Sequence, residues 1–268
     1  MNRSTVVRTA LFVAAAGLPV AVYGQGRVTR GPEEMPLVLE LSNTRDTLPT
    51  WRARTDSIAS LRASRAALRD AALRILVDVK AKQLHVVKGR DTLYAAPVAV
   101  GMGRLLEYGG HRWTFATPKG IRTVVGKTAE PKWRPPDWHY AETAREHGLK
   151  LVRMSTGKAI TLSDGRKLVV RDDMAGLLLD DGFAPLPVDE HIVFDSTLFI
   201  PPLGTINRRI DGELGAYQLD MGSGYLLHGT PRDESIGTAT THGCVRLRED
   251  DIAWLYERIP VGTRVYIY

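Results

Sequence analysis

The chain has 268 residues, a formal net charge of +6 and a single cysteine. That length suits one well-packed core, or one domain carrying a large insertion. The mild positive balance fits contact with an acidic polymer but not nucleic-acid binding, and beyond the first two dozen residues no segment is apolar enough to span a membrane.

The N-terminus reads as an address. Arg3 and Arg8 precede an uncharged apolar run from Ala10 to Val22, and Val22 and Gly24 permit signal-peptidase cleavage just before Gln25. Residues 1–24 are therefore expected to be a signal peptide, with retention as an N-terminal anchor the other outcome; the run is shorter than the roughly 20 residues that a spanning helix needs. No cysteine lies near the cleavage point, so a lipoprotein is not expected. Export would place the chain in an oxidising compartment, where cysteines usually pair, yet Cys244 has no partner in the sequence. It is either an inert buried thiol or one kept for its reactivity.

Residues 25–50 mix Gly, Pro and charge around one apolar patch, Leu37 to Leu39, and read as a flexible leader. Over 51–73 the pattern turns helical: Ile58, Leu61, Ser64, Leu68 and Ala71 recur at spacings of three and four, with Arg62, Arg65, Arg69 and Asp70 between them. This predicts an amphipathic helix lying on the domain that follows. At Arg74 the period becomes two. Ile75, Val77 and Val79 alternate with Leu76, Asp78 and Lys80, and Leu84 to Lys88 and Leu93 to Val100 continue a β-meander that Gly101 and Gly103 close. Trp113 to Ala116, Ile121 to Val125, Tyr225 to His228 and Arg264 to Tyr268 supply further strands. Such short strands with Gly and Pro punctuation predict a mainly β fold, a sandwich or barrel-like domain over 74–268.

Between Trp138 and Phe199 the texture changes. Ala141 to His147 reads as a short helix, Lys158 to Val170 as a β-hairpin around Asp164-Gly165, and the remainder as Asp-rich loop. This stretch, about 139–198, is expected to be an insertion, either a cap over the active-site cleft or decoration. A closing helix follows Leu247, with Glu249, Asp250 and Asp251 in its first turn and Ile252, Leu255, Tyr256 and Ile259 as its apolar face.

The chemistry concentrates in Tyr225-Leu226-Leu227-His228-Gly229-Thr230 and, sixteen residues after His228, in Cys244 within Thr241-His242-Gly243-Cys244-Val245-Arg246-Leu247. A thiol that attacks an acyl carbon needs a base or cation, because a free Cys of pKa about 8.5 is only a few per cent ionised at neutral pH. It also needs donors for the oxyanion and room for substrate. His228 ends an apolar strand where a base can sit, Gly243 removes a side chain beside Cys244, and N–H groups of a turn leading into a helix can form an oxyanion hole. The alternatives are a satisfied core histidine at 228, or zinc held by His228, His242 and Cys244. A structural zinc site wants four ligands with paired spacing, and the sequence has no CxxC, HxxxH or HExxH, so no metal is expected. No cofactor is expected either, since Gly101-Met102-Gly103 lacks the third glycine and following helix of a phosphate-binding loop.

These motifs resemble the signature of the YkuD-type L,D-transpeptidase family: His-Gly, about sixteen residues, then Ser or Thr, His, Gly, Cys, a hydrophobe and Arg or Asn. Arg74 to Gly101 resembles the family's opening strands, Thr117-Pro118-Lys119-Gly120 its TPxG turn, and Pro131 to Trp138 its Pro and Trp stretch. Pro201-Pro202, Leu214-Gly215, Ser235-Ile236-Gly237 and the segment from Leu247 to Tyr268 match its later runs. Residues 139–198 depart from it.

The resemblance implies a YkuD-like β-sandwich with a short C-terminal helix, in which Cys244 is the acylated nucleophile and His228 the general base, oriented by the Gly229 carbonyl. It implies that Gly243 and Cys244 present N–H groups to the oxyanion, and that Thr241, His242 and Arg246 line the substrate site. Arg246 would either grip a stem-peptide carboxylate in a fork geometry or clamp the loop. The implied partners are peptidoglycan stem peptides, with an anchored lipoprotein or outer-membrane protein as a further acceptor, in the periplasm or at the cell wall. A hydrolase on the same site and a non-catalytic wall-binding module are the competing readings.

Overall fold

The computed structural model describes residues 10–12, 19–23, 50–180 and 182–268. The expected signal peptide and leader lie outside the described residues, apart from two short strands at Ala10–Phe12 and Pro19–Tyr23. The chain forms two compact units: one of residues 42–107, 111–133 and 211–268, the other of 1–41, 108–110 and 134–210. No helix of the described residues is long and apolar enough to cross a membrane.

The first unit is a β-sandwich. Its five-stranded sheet runs in the order Asp91–Pro97, Gln83–Lys88, Arg74–Asp78, Arg264–Ile267, Gly120–Thr123. The last strand of the chain pairs in parallel with Arg74–Asp78, Val265 opposite Ile75 and Ile267 opposite Val77. The facing sheet has four strands, Gly126–Ala129, Tyr217–Asp220, Leu226–His228 and Val245–Arg246. Strand alternation sends one row from each sheet inward. Ile75, Val77, Leu84, Val86, Val265 and Ile267 meet Leu219, Leu227 and Val245 in one core. Each such aliphatic side chain gains about 1.5–3 kcal/mol from leaving water.

Helix α3, Glu249–Arg258, closes this core with Ile252 and Leu255, both fully buried. Asp251 ties its first turn to the five-stranded sheet by accepting the Tyr94 hydroxyl at 2.6 Å, and Tyr94 stacks on Trp254 with ring centres 4.1 Å apart. Burial and that carboxylate push the Tyr94 phenol up to about 12.

Helix α1, Thr50–Arg69, forms as the periodicity predicts, but with the opposite face inward. Ile58, Leu61 and Leu68 are 53, 51 and 85 % exposed, whereas Ala63 and Ala67 are buried against Tyr266. The helix lies against Arg264–Ile267 and Gly120–Thr123, where the short side chains of Ala63 and Ala67 pack with Tyr266. The Tyr266 hydroxyl donates to Asp70 at 2.6 Å, fixing the C-terminal end of the helix.

The second unit overturns the loop expectation for its middle. Ile160–Thr161, Lys167–Arg171, Met174–Leu179 and Gly182–Pro185 form an antiparallel meander, and Lys150–Arg153, Thr197–Ile200 and His191–Phe194 form a second sheet. Leu162, Leu168, Val170, Ala175, Phe194 and Phe199 share a core of their own. The aspartates that look like loop in the sequence occupy tight turns: Asp172, Asp189, Asp195 and Ser196 all have positive φ, between 50° and 64°. Short polar side chains tolerate that conformation and end strands. Helix α2, Asp137–His147, packs Tyr140 and Ala144 on Val193, Leu198 and Ile200. Buried Arg208 joins the ends of the unit, donating to Pro135 O at 2.8 Å, Pro201 O at 2.9 Å and Asp137 at 2.6 Å.

Candidate active site

The strand Leu226–His228 lies between Tyr217–Asp220, antiparallel, and Val245–Arg246, parallel, with Leu227 opposite Val245 and His228 opposite Arg246. Leu227 and Val245 are fully buried in the sandwich core. Alternation then places Leu226 and His228, and across from them Cys244 and Arg246, on the outer face of the sheet. Cys244 immediately precedes the strand that pairs with His228, its thiol partly exposed and 4.0 Å from the Gly224 carbonyl.

His228 is 4 % exposed, and its Nδ1 lies 2.7 Å from the Gly229 carbonyl oxygen. A carbonyl only accepts, so Nδ1 carries the proton and Nε2 keeps the lone pair. Burial, reinforced by the Arg246 charge, lowers the His228 pKa to about 4, while the backbones of Gly229 and Leu214 pull the other way. Burial pushes the Cys244 thiol up, opposed by the Leu226 backbone and Arg246. Both groups therefore rest neutral at pH 7, as thiol and imidazole rather than as a preformed ion pair.

The turn that carries the sulfur is built around Thr241. Its strand, Ala239–Thr241, pairs in parallel with Val100–Gly101. Thr241 Oγ1 donates to the Cys244 carbonyl at 2.6 Å and accepts the Gly243 N–H at 3.2 Å. Two sequence expectations change here. Thr241 is 3 % exposed and braces the turn, so its hydroxyl is not presented to a ligand. The Gly243 N–H is engaged by that hydroxyl, and the backbone group that acts on the sulfur is that of Leu226. Gly243 adopts φ +130, and a Cβ there would meet the Tyr225 ring at 3.0 Å and the Ala116 carbonyl at 3.2 Å. Only glycine suits the position. Tyr225, which the sequence marks merely as a strand residue, thus shapes the turn; the Arg122 guanidinium lies 4.6 Å from its ring centre.

His242 is half-buried and meets Phe115 edge-on, ring centres 4.5 Å apart. Arg246 is half-buried, with Nη1 3.3 Å from Ser235 Oγ. Burial, with the Arg232 charge, lowers its pKa against the pull of Glu213 and Glu234, and Arg232 itself pairs with Glu213. Ser235 thus links the Ser-Ile-Gly stretch to the strand Val245–Arg246. Thr117 belongs to the same framework, its Oγ1 accepting the Gly101 N–H at 2.8 Å. Among the described residues no group of three or more His, Cys, Asp or Glu side chains is arranged to hold a metal ion.

The family model for the L,D-transpeptidase catalytic domain, YkuD, matches residues 72–267. The chain belongs to the YkuD family. The match of this YkuD chain runs through the whole of 134–210. Over 55 residues the chain is 51 % identical to "Probable L,D-transpeptidase YbiS" of Escherichia coli, covering 20 % of this chain and 18 % of that protein. Over 57 residues it is 46 % identical to "Probable L,D-transpeptidase ErfK/SrfK" of Salmonella typhimurium, covering 21 % and 18 %. The matched segments thus span under a fifth of those relatives' length. Among solved structures it is similar to an L,D-transpeptidase of Xylanimonas cellulosilytica at 15 % identity and TM-score 0.39, covering 74 % of this chain and 61 % of that one. Another is an L,D-transpeptidase from Mycobacterium smegmatis, at 16 % identity and TM-score 0.37, covering 73 % and 58 %.

Proposed function

We propose that this YkuD protein is an exported L,D-transpeptidase acting on peptidoglycan stem tetrapeptides, with Cys244 as nucleophile and His228 as general base. The observation that carries this reading is the parallel pairing of Leu226–His228 with Val245–Arg246, which puts imidazole and thiol on one outer face while the Gly229 carbonyl holds the proton on Nδ1. His228 Nε2 takes the thiol proton as sulfur attacks the carbonyl that joins the third stem residue to D-Ala. The Cys244 N–H faces the developing oxyanion. The C–N bond then breaks, and the imidazolium returns its proton to the departing amine, leaving a thioester on Cys244. An imidazolium of pKa about 4 gives up that proton readily.

In the second half, an acceptor amine attacks the thioester, His228 removes the amine proton, and the proton passes to the leaving Cys244 sulfur. The acceptor is a neighbouring stem, a free D-amino acid or a lysine of an anchored protein. Arg246, beside Cys244 on the same face, is suited to the free carboxylates of the stem. The experiment is incubation of the purified protein with sacculi or disaccharide tetrapeptide, with muropeptide mass spectrometry in the presence and absence of an added amine. Release of D-Ala with a new amide is the expected result, and release without transfer under both conditions assigns the site to a hydrolase. Cys244→Ala should form no adduct with a carbapenem, and an adduct in that variant rejects the nucleophile assignment.

A further inference from the structure

We infer that Glu249 is a positioning residue for His228, holding together the two backbone segments whose carbonyls fix the imidazole; this rests on His228 being the base. Glu249 opens α3, and its Oε2 accepts the Ala216 N–H at 2.9 Å. Its Oε1 is buried and has no hydrogen-bond partner among the described residues. That oxygen presses on two glycines: a Cβ on either Gly215 or Gly229 would collide with it, and one on Gly215 would also come within 2.7 Å of the Gly229 Cα. Gly215 has φ +68, a second reason for glycine there.

The two clamped peptides are the ones that matter to the base. Gly229 supplies the carbonyl 2.7 Å from His228 Nδ1, and Leu214, which precedes Gly215, supplies the other backbone interaction acting on that ring. Gly215 and Gly229 flank the paired strands Tyr217–Asp220 and Leu226–His228, and beyond the last pair of that ladder they approach backbone to backbone without a side chain between them. Glu249 therefore acts as the wedge behind both. An acid placed only to favour a helix N-terminus would leave its oxygens in water, as that effect operates at the surface. A buried acceptor without a donor carries a desolvation cost that demands an explanation. Holding the Nδ1–H tautomer, and so leaving Nε2 free towards the sulfur, provides one.

The test compares the full chain with Glu249→Gln, Glu249→Ala and Glu249→Asp. It follows carbapenem acylation rate from pH 5 to 9, thermal midpoint, and the ring 15N shifts of His228 in histidine-labelled protein. Glu249→Gln keeps an acceptor for the Ala216 N–H and should stay within about 3-fold of wild type. Glu249→Ala should fall by about 10- to 100-fold, the range expected for slight misplacement of a reacting group. Its ring shifts should move from a single Nδ1–H tautomer to a mixture. If Glu249→Ala does not fold, Glu249→Asp decides, since it keeps the charge but is too short to reach both glycines. A folded alanine or aspartate variant with wild-type ring shifts and rate overturns the inference. Failure of wild-type protein to be acylated, or acylation of Cys244→Ala, would instead defeat the catalytic reading, and the ring shifts would still report on Glu249.

Discussion

His228 stands directly across from Arg246 on two parallel strands, and burial of the imidazole, reinforced by that cation, keeps it unprotonated. At neutral pH the base is therefore already in its working form. The acylation rate should fall on the acid side only as pH approaches about 4, well below the midpoint near 6.5 expected of an ordinary histidine. Replacing His228 by Ala should cost about 10²–10⁴-fold at pH 7. The loss should narrow at alkaline pH, where hydroxide ionises the thiol unaided. Rate–pH profiles of the two proteins check this, and parallel profiles would count against a base role.

Gly243 should tolerate no side chain. Gly243→Ala combines φ +130 with contacts of 3.0 Å to the Tyr225 ring and 3.2 Å to the Ala116 carbonyl. A loss of about 1–3 kcal/mol in stability is expected from backbone strain, measured by denaturant titration. Acylation should drop more than stability accounts for, because the shift falls on the residue next to the sulfur.

Helix α1 offers a test of which face is packed. Ala63→Leu inserts a side chain where none is accessible, under Tyr266, and should destabilise by about 1–3 kcal/mol. Leu68→Ser, at a position 85 % exposed, should stay within about 0.5 kcal/mol of wild type. The reverse order in chemical denaturation would show that the aliphatic stripe is the buried one.

The second unit should lose stability in mild acid. His191 is 7 % exposed, stacks on His139 with ring centres 5.3 Å apart, and meets the edge of Tyr140. Burial first, and then the nearby His147, lowers its pKa to about 4. With a folded pKa below the unfolded value near 6.5, the unfolded chain binds the extra proton. The stabilisation is complete above about pH 6.5 and is lost as pH falls towards 4. Buried His228 adds the same dependence in the first unit. His191→Gln should flatten the acid side of a hydrogen-exchange stability profile for residues 134–210, and an unchanged profile would place the sensitivity elsewhere.

Much of the β-sandwich was legible from alternation alone. Ile75 and Val77 announce an inward row because a half-buried strand exposes every second residue, and the acids of Glu249, Asp250 and Asp251 announce a helix start. The proposal that His228 acts on Cys244 starts from residue chemistry, an unpartnered thiol next to Gly with a histidine on a nearby strand. What alternation does not encode is which of two faces a helix buries. α1 carries its longer side chains on the wrong side for a simple moment argument, and the closeness of Tyr266, almost two hundred residues later, makes alanine the better fit.

By itself, then, the order of amino acids determined the strand periods, the start of the closing helix, and a thiol and an imidazole at family spacing, all properties of neighbours along the chain. Tertiary structure alone decided that Thr241 braces the turn instead of facing a ligand, that burial, with Arg246 beside it, suppresses protonation of His228, and that Glu249 sits behind Gly215 and Gly229. Those are contacts between segments whose approach depends on parallel strand pairing and on the absence of side chains at particular glycines, which no local pattern records.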